Sequence, residues 1–439
     1  MPDIRPFRGL RYDPLKVPDL SAVLCPPYDV IEPDQRARLA ATSQHNGVHI
    51  ELPVAVAGID SAAAYGHAAR LFAEWQADGT LRRDDRPLLY LHEQRYASAG
   101  GGERVARGFL CRLALEQFGP ASGVRAHERT MAAPKADRHR LLSEVRANIS
   151  PIALLYDDEA RGAASGALLD RLTQVRPDAE TIDEAGVGHR LWTLDPAASQ
   201  DAADLLALAA RGPLTIADGH HRYETALRYR DERQRESASG TAGAAGYVLA
   251  LLFDARTGGL TVMPTHRLVR DLPETQALFA VVEQLFTIIR QPRAEDIVAA
   301  MGQTTVAPGE WGSGRLGLWT RDGGALLEVD RSRVGNVLPA GVSDALRGLD
   351  VTLLAACLER LVGRSVPDLA AEGRMVYTKD PHRAVEIVDG GQADAAFVLA
   401  PTPIDAVLAV AAAGEQMPEK STYFHPKAPT GLVFNPLTE

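Results

Sequence analysis

The stretch that most constrains this chain is Leu214–Arg233, LTIADGHHRYETALRYRDER. A short apolar run ends at Asp218-Gly219, and Tyr223, Ala226 and Leu227 then recur at helical spacing. That pattern predicts a buried strand, a tight break and an amphipathic helix. Gly219 can take the backbone geometry that lets a chain approach a ligand closely. His220, His221 and Arg222 open the helix, where unpaired N–H groups and the positive end of the dipole already stand. Three potential cations there oppose a dipole that favours anions by about 0.3–1 kcal/mol each. The anion that best answers them is phosphate. His220, His221 and Arg222 can each donate to its oxygens, Thr225 adds a hydroxyl, and Asp218 can act as a base or hold magnesium. The plainer alternative is that Asp218 caps the helix and the histidines lie on the surface.

With 439 residues the chain is too long for one ordinary core and predicts two or three domains. Hydrophobic residues at 46% and charged residues at 24% are ordinary globular usage. The net charge of -10 gives no electrostatic footprint for nucleic acid or an acidic membrane surface. Cys25, Cys111 and Cys357 are odd in number and far apart, which supports neither a disulfide framework nor a zinc knuckle and fits a reducing cytoplasm. The N-terminus lacks an apolar signal core, and no run approaches the roughly 18 apolar residues of a membrane span.

Along the chain, Pro26-Pro27 forces an extended or turn geometry before Tyr28-Asp29, and a polar helix follows from Pro33 to Thr42. His49–Leu52 alternates like a short strand, and Ser61–Asp78 has helical spacing. Leu88–Tyr96 and Val105–Leu113 read as a hairpin across Ala97–Glu103. A helix after Pro134 feeds the strand Ile152–Tyr156, and helices at Ala160–Val175 and Asp201–Ala210 flank a weak strand, Leu191–Leu194. Val248–Phe253 with Leu260–Met263 resembles a second hairpin. The last third predicts helices at Thr275–Phe286, Ala294–Met301 and Asp344–Leu361, strands at Arg315–Trp319 and Ala325–Val329, and a strand-helix-strand-helix unit from Met375. The aromatic tail EKSTYFHPKAPTGLVF is expected to dock.

A second polar constellation is His127-Glu128-Arg129-Thr130 with Lys135, Asp137 and Arg138, just before an amphipathic helix. Phosphoryl transfer needs a base for a hydroxyl and cations for the phosphate. Glu128 can be the first and Lys135 or Arg138 the second; a solvated helix face explains the run as well. No second histidine follows at HExxH spacing, and no GxxxxGK[ST], GxSxG or GxGxxG run is present. The tail offers Lys420, Ser421, Thr422 and Lys427 to a phosphate, although an exposed polar tail accounts for them equally. Pro26-Pro27-Tyr28-Asp29 can project Tyr28 and Asp29 into a cleft, and turn-making alone accounts for it too.

Gly219-His220-His221-Arg222-Tyr223 after an apolar strand resembles the phosphate-binding box of the ParB/sulfiredoxin superfamily. IRPFRGLRYD, CPPYDVI, HERTMAAPKADR, RANISPI, IADGHHRYETAL, MPTHR and KSTYFHPKAPTGLVFNPL, in this order, resemble the bacterial family designated domain of unknown function 1015. Relatives with the same Asp-Gly-x-His-Arg turn include free-serine kinases, which phosphorylate L-serine with a nucleotide and magnesium. The resemblance implies a mixed α/β fold: a ParB/sulfiredoxin-like core at 126–270, an N-terminal α+β region at 1–125 and a C-terminal α/β region at 271–439. It implies that Gly219, His220, His221 and Arg222 hold phosphate, that Asp218 sits at the reacting centre and on the metal, and that Glu128 is the base. ATP or ADP with Mg2+ are then the cofactors, and a small hydroxylated metabolite is the substrate. The rival is a CTP-gated binding protein without kinase activity, as in partition proteins; it calls for a basic surface that the acidic balance does not supply.

Overall fold

The computed structural model describes residues 1–53, 61–98, 101–130, 132–158, 164–257, 259–272, 275–335, 338 and 340–438. The fold is mixed α/β, and the chain divides into two compact units. The first unit holds residues 1–125, 130–261 and 426–439, and the second holds 126–129 and 262–425.

The first unit is built on a nine-stranded sheet. Its strands are β1 (Ile4–Arg5), β2 (Leu89–Ala97), β3 (Glu103–Ala114), β4 (Val124–Arg125), β5 (Ile152–Tyr156), β6 (Ala179–Ile182), β7 (Gly188–Leu194), β8 (Leu214–Asp218) and β9 (Tyr247–Asp254). They run in the order β4-β8-β5-β9-β3-β2-β7-β6, with β1 added on β3. Only β4 with β8 and β5 with β9 are parallel. All five residues of β5 are buried, as an apolar strand covered on both faces requires. β2 and β3 form the expected antiparallel pair, with Leu91 opposite Phe109; residues 99–100 of its loop lie outside the described residues. The flanking helices include α1 (Pro33–Thr42), α2 (Ser61–Ala77), α3 (Ala132–Val145), α4 (Ala164–Leu172), α5 (Gln200–Ala209) and α6 (His220–Glu236). Ser199 caps α5 by accepting the Ala202 N–H. Leu154, Ile216, Leu205, Tyr223 and Leu252 meet in one apolar core.

Several expectations are corrected. His49–Leu52 is not a strand: Val48–Glu51 forms a helical turn, and the Asn46 side-chain Oδ1 accepts the Val48 N–H at 2.9 Å. Ile50 and Glu51 are both buried, a neighbouring pair that strand alternation would have split between faces. No hairpin joins Val248–Phe253 to Leu260–Met263, because both edges of β9 are taken by β5 and β3. The expected helix start at Ala160 lies outside the described residues.

The second unit carries a six-stranded antiparallel sheet made of β10 (His266–Val269), β11 (Phe286–Gln291), β12 (Arg315–Thr320), β13 (Gly323–Val329), β14 (Met375–Thr378) and β15 (Ala395–Leu399). The order is β11-β13-β12-β15-β10-β14. The expected strand-helix-strand-helix unit is present as β14, Pro381–Asp389, β15 and Ile404–Ala412, with β10 inserted between its two strands. The helix expected over Thr275–Phe286 ends at Val282, and Phe286 opens β11. That expected over Asp344–Leu361 breaks at Leu349, whose backbone is extended. Among the described residues no helix is long and apolar enough to cross a membrane.

In the first unit the segment 426–439 returns to the N-terminal strands. Thr430 exchanges backbone hydrogen bonds with Cys25, and Phe434 with Leu10. The Phe434 ring is fully buried, 5.9 Å from the Tyr12 ring and 5.6 Å from that of Phe72. Asn435 donates to Asn148 at 2.7 Å and accepts from Arg112 at 2.7 Å. Phe434→Ala is expected to lower unfolding stability by about 3–5 kcal/mol, read from denaturant midpoints. Truncation of Leu15, which is 89% exposed, should stay within about 0.5 kcal/mol. Equal, small losses would show that the returning segment adds nothing to the folded unit.

Candidate functional site

β8 ends at Asp218, and α6 begins two residues later. Between them Gly219 adopts φ 94° and ψ 27°, the left-handed region, and offers no side-chain cap to the helix. A Cβ at this position would stand 3.1 Å from the Arg222 guanidinium. Glycine is therefore favoured by the turn, and its missing Cβ leaves the Arg222 guanidinium room to fold back over it.

That fold-back makes the site. Arg222 Nη2 donates to Asp218 Oδ2 at 2.6 Å, and its Nη1 donates to the Pro151 carbonyl at 2.6 Å. The other carboxylate oxygen, Oδ1, accepts from the ammonium of Lys427. Between 11% and 14% of each of these three side chains is exposed. Burial alone would push the Asp218 carboxyl up, but Lys427 and then Arg222, with His220 adding to the pull, hold it well below the usual carboxylate range. The anion that answers the cations at this helix start is thus, in the first instance, Asp218.

A further layer surrounds Arg222. Burial opposes its charge, and Asp218, Asp29, Glu51 and Tyr28 together overcome that and raise its pKa. Tyr28 is pushed up to about 12 by burial and by Asp29, against the pull of Arg222 and Arg138. The Arg138 guanidinium lies 4.1 Å from the Tyr28 ring centroid and donates to the Glu51 carbonyl at 2.6 Å. Glu51 Oε1 accepts from the Tyr28 N–H and the Ser150 hydroxyl, both at 3.1 Å. Glu51, Arg138, Ser150, Arg222 and Thr225 line one cavity.

The structure brings Asp218, Gly219, His220 and Arg222 together in the first unit. His220 is buried and His221 half-buried. Thr225 is also buried, with its hydroxyl 3.5 Å from the Lys135 carbonyl. Lys135 pairs with Glu224 at 2.7 Å and touches the Thr130 hydroxyl at 3.1 Å, so its charge ties α3 to α6. Glu128 belongs to the second unit, where its Oε1 accepts the Lys420 N–H at 3.0 Å. Sequence reasoning offered Lys427 to a phosphate along with Lys420, Ser421 and Thr422 of the tail, and did not pair it with Asp218. A lone lysine within the apolar, proline-flanked run FHPKAPTGLVF is the signal that it needs a buried partner. Glu51, a carboxylate inside a buried helical turn, left no such trace.

The residues do not fit a resident metal ion. Both oxygens of Asp218 are occupied by cationic donors, and among the described residues no group of three or more His, Cys, Asp or Glu side chains is placed to hold one.

Two outcomes follow. Gly219→Ala should cost about 1–2 kcal/mol from the left-handed backbone alone, with a further loss as Arg222 is displaced from Asp218. Asp218→Asn should cost about 3–5 kcal/mol at neutral pH, because two buried cations lose their partner. The folded-state carboxyl is more acidic than the unfolded one. Its contribution is therefore complete above the unfolded value of about 4 and is lost as pH falls through the folded value. Urea unfolding should show the gap between wild type and Asp218→Asn narrowing below about pH 4; a gap constant into acid would refute this reading.

Among solved structures the chain is similar to a free serine kinase in complex with AMP, at 11% identity and TM-score 0.36, over 71% of this chain and 88% of that one. It is also similar to a conserved hypothetical protein from Pyrococcus furiosus, at 11% identity and TM-score 0.35, over 71% and 91%. A C-terminally truncated SbnI from Staphylococcus aureus aligns at 10% identity and TM-score 0.35, over 73% and 87%. Likenesses this distant assign no chemistry to the chain, and no curated protein matches it. The family described as "Protein of unknown function (DUF1015)" matches residues 4–352, and the chain belongs to that family.

Proposed function

We propose that the protein is a nucleotide-dependent kinase that transfers a phosphoryl group to a small hydroxylated metabolite, with free L-serine the first acceptor to test. The observation that carries this reading is the Asp218 carboxylate, held ionised between Lys427 and Arg222 at a left-handed glycine and an uncapped helix start. Such an arrangement gathers positive charge and the helix dipole around a fixed point, which is what a transferring phosphoryl group needs.

In this reaction the bond from the leaving nucleotide oxygen to phosphorus breaks, a bond from the acceptor hydroxyl oxygen to phosphorus forms, and the hydroxyl proton passes to a base. Catalysis rests mostly on positioning and charge neutralisation. Asp218, so acidic in place, is a poor proton acceptor, and its part is to hold Arg222 and Lys427. Two other carboxylates are candidates for the base. Asp29 is exposed in the short helix Tyr28–Val30 and is close enough to Arg222 to raise its pKa. Glu128 follows from the family resemblance. Magnesium enters as part of the nucleotide substrate, carried on its phosphates.

The experiment is ADP release from ATP-Mg2+ across a panel of small alcohols including serine, with phosphorylated acceptor identified by mass. Acceptor-dependent turnover is expected in the wild type. A loss of about 100-fold or more, the usual scale for removing a base, should follow Asp29→Asn or Glu128→Gln, which identifies the base. Saturable binding of ATP or ADP without turnover on any acceptor would replace the kinase with a nucleotide-binding protein.

A further inference from the structure

Resting on the phosphate-site reading above, we propose that Lys427 is the residue that contacts the nucleotide's phosphate chain, and that Gln94 is the residue that positions it. The chain thereby completes its anion site with a segment lying outside the family-matched span of 4–352.

The two cations on Asp218 are not equivalent. Arg222 is clamped: one Nη is on Asp218, the other is on the Pro151 carbonyl, and its guanidinium lies against Gly219. It cannot turn to a ligand without dismantling the turn. Lys427 reaches the same carboxylate with a compact ammonium on a four-carbon stem, a point charge that can move from one oxygen to another with little rearrangement. A short swing takes it from Asp218 to a phosphate lying at the start of α6, where the dipole and the turn already favour an anion.

What stays fixed is its backbone. Gln94 on β2 is fully buried, and its side-chain amide donates to the Lys427 carbonyl at 2.9 Å. Three residues on, Thr430 is tied to Cys25 by a pair of backbone hydrogen bonds. The Gln94 side-chain Oε1 is buried without a hydrogen-bond partner, a cost the fold carries to keep the amide on Lys427. The strand around Gln94 is braced on the same face. His189 of β7 stands directly opposite Gln94 and bonds His92 at 3.0 Å and Asp183 at 3.1 Å. The Asp183 carboxylate accepts from His189 Nε2, and His189 Nδ1 shares one hydrogen bond with His92 Nε2. Removing the Gln94 amide should loosen the point from which Lys427 swings.

The test is titration calorimetry of the full chain with ADP and with adenosine, over a range of salt. Lys427→Met should weaken ADP binding at least tenfold, leave adenosine binding unchanged and flatten the salt dependence for ADP. Lys427→Arg, which keeps the charge, should restore part of the affinity and serves as the folding-safe variant. Gln94→Met should weaken ADP several-fold with the same indifference to adenosine, a selectivity that a general loss of packing would not produce. If the wild type binds ADP and Lys427→Met binds it equally well, this assignment is overturned and the kinase reading stands. If Gln94→Met weakens ADP and adenosine alike, Gln94 is merely structural. If the wild type binds no ADP, both readings fall.

Discussion

One carboxylate ties together three pieces of chain that are remote in sequence. Asp218 ends β8, faces the first turn of α6 through Arg222, reaches through that same arginine to the carbonyl of Pro151 just before β5, and receives Lys427 from the returning segment. Burial works against the charge, and the two cations in contact with its two oxygens, Lys427 first and then Arg222, do most to reverse the balance. The left-handed Gly219 is subordinate to this interaction, since it exists to let a guanidinium lie across the backbone.

The flank of α6 that faces α3 is organised on a different principle. Lys135 pairs with Glu224, and the His139 ring contacts Glu232 at 2.8 Å, so half-buried polar pairs zip the two helices side by side. Such pairs contribute little stability individually, but they fix the rotation of α6 and hence the direction in which Arg222 points. The same helix thus carries one face devoted to register and one end devoted to charge.

Local features were legible in the sequence and long-range ones were not. The strand, break and helix around Asp218-Gly219 could be read from residues 214–233, because apolar spacing and a glycine act within a few residues. The β2–β3 pair was legible for the same reason. Lys427 meets Asp218 across 209 residues and Gln94 across 333, and no periodicity encodes such meetings. The misread elements also have physical causes. Val48–Glu51 turns with the Asn46 Oδ1 holding the Val48 N–H and with both Ile50 and Glu51 buried. The helix from Thr275 stops at Val282 because Phe286 is taken into the second sheet opposite Val329. In each case tertiary contact overrode local preference.

The returning segment also bears on how the protein is made. Gln94 waits for Lys427, Arg112 for Asn435 across 323 residues, and Asn148 for Asn435 across 287. The chain of the first unit is therefore interrupted in sequence by that of the second, and its earliest strands emerge from the ribosome long before the segment that closes them. Nearly all of the second unit must be synthesised while β2, β3 and the buried polar row beside Gln94 are still uncovered. Contacts of this separation fold slowly and leave strand edges open meanwhile. The first unit, though it starts at the N-terminus, is the one that finishes last.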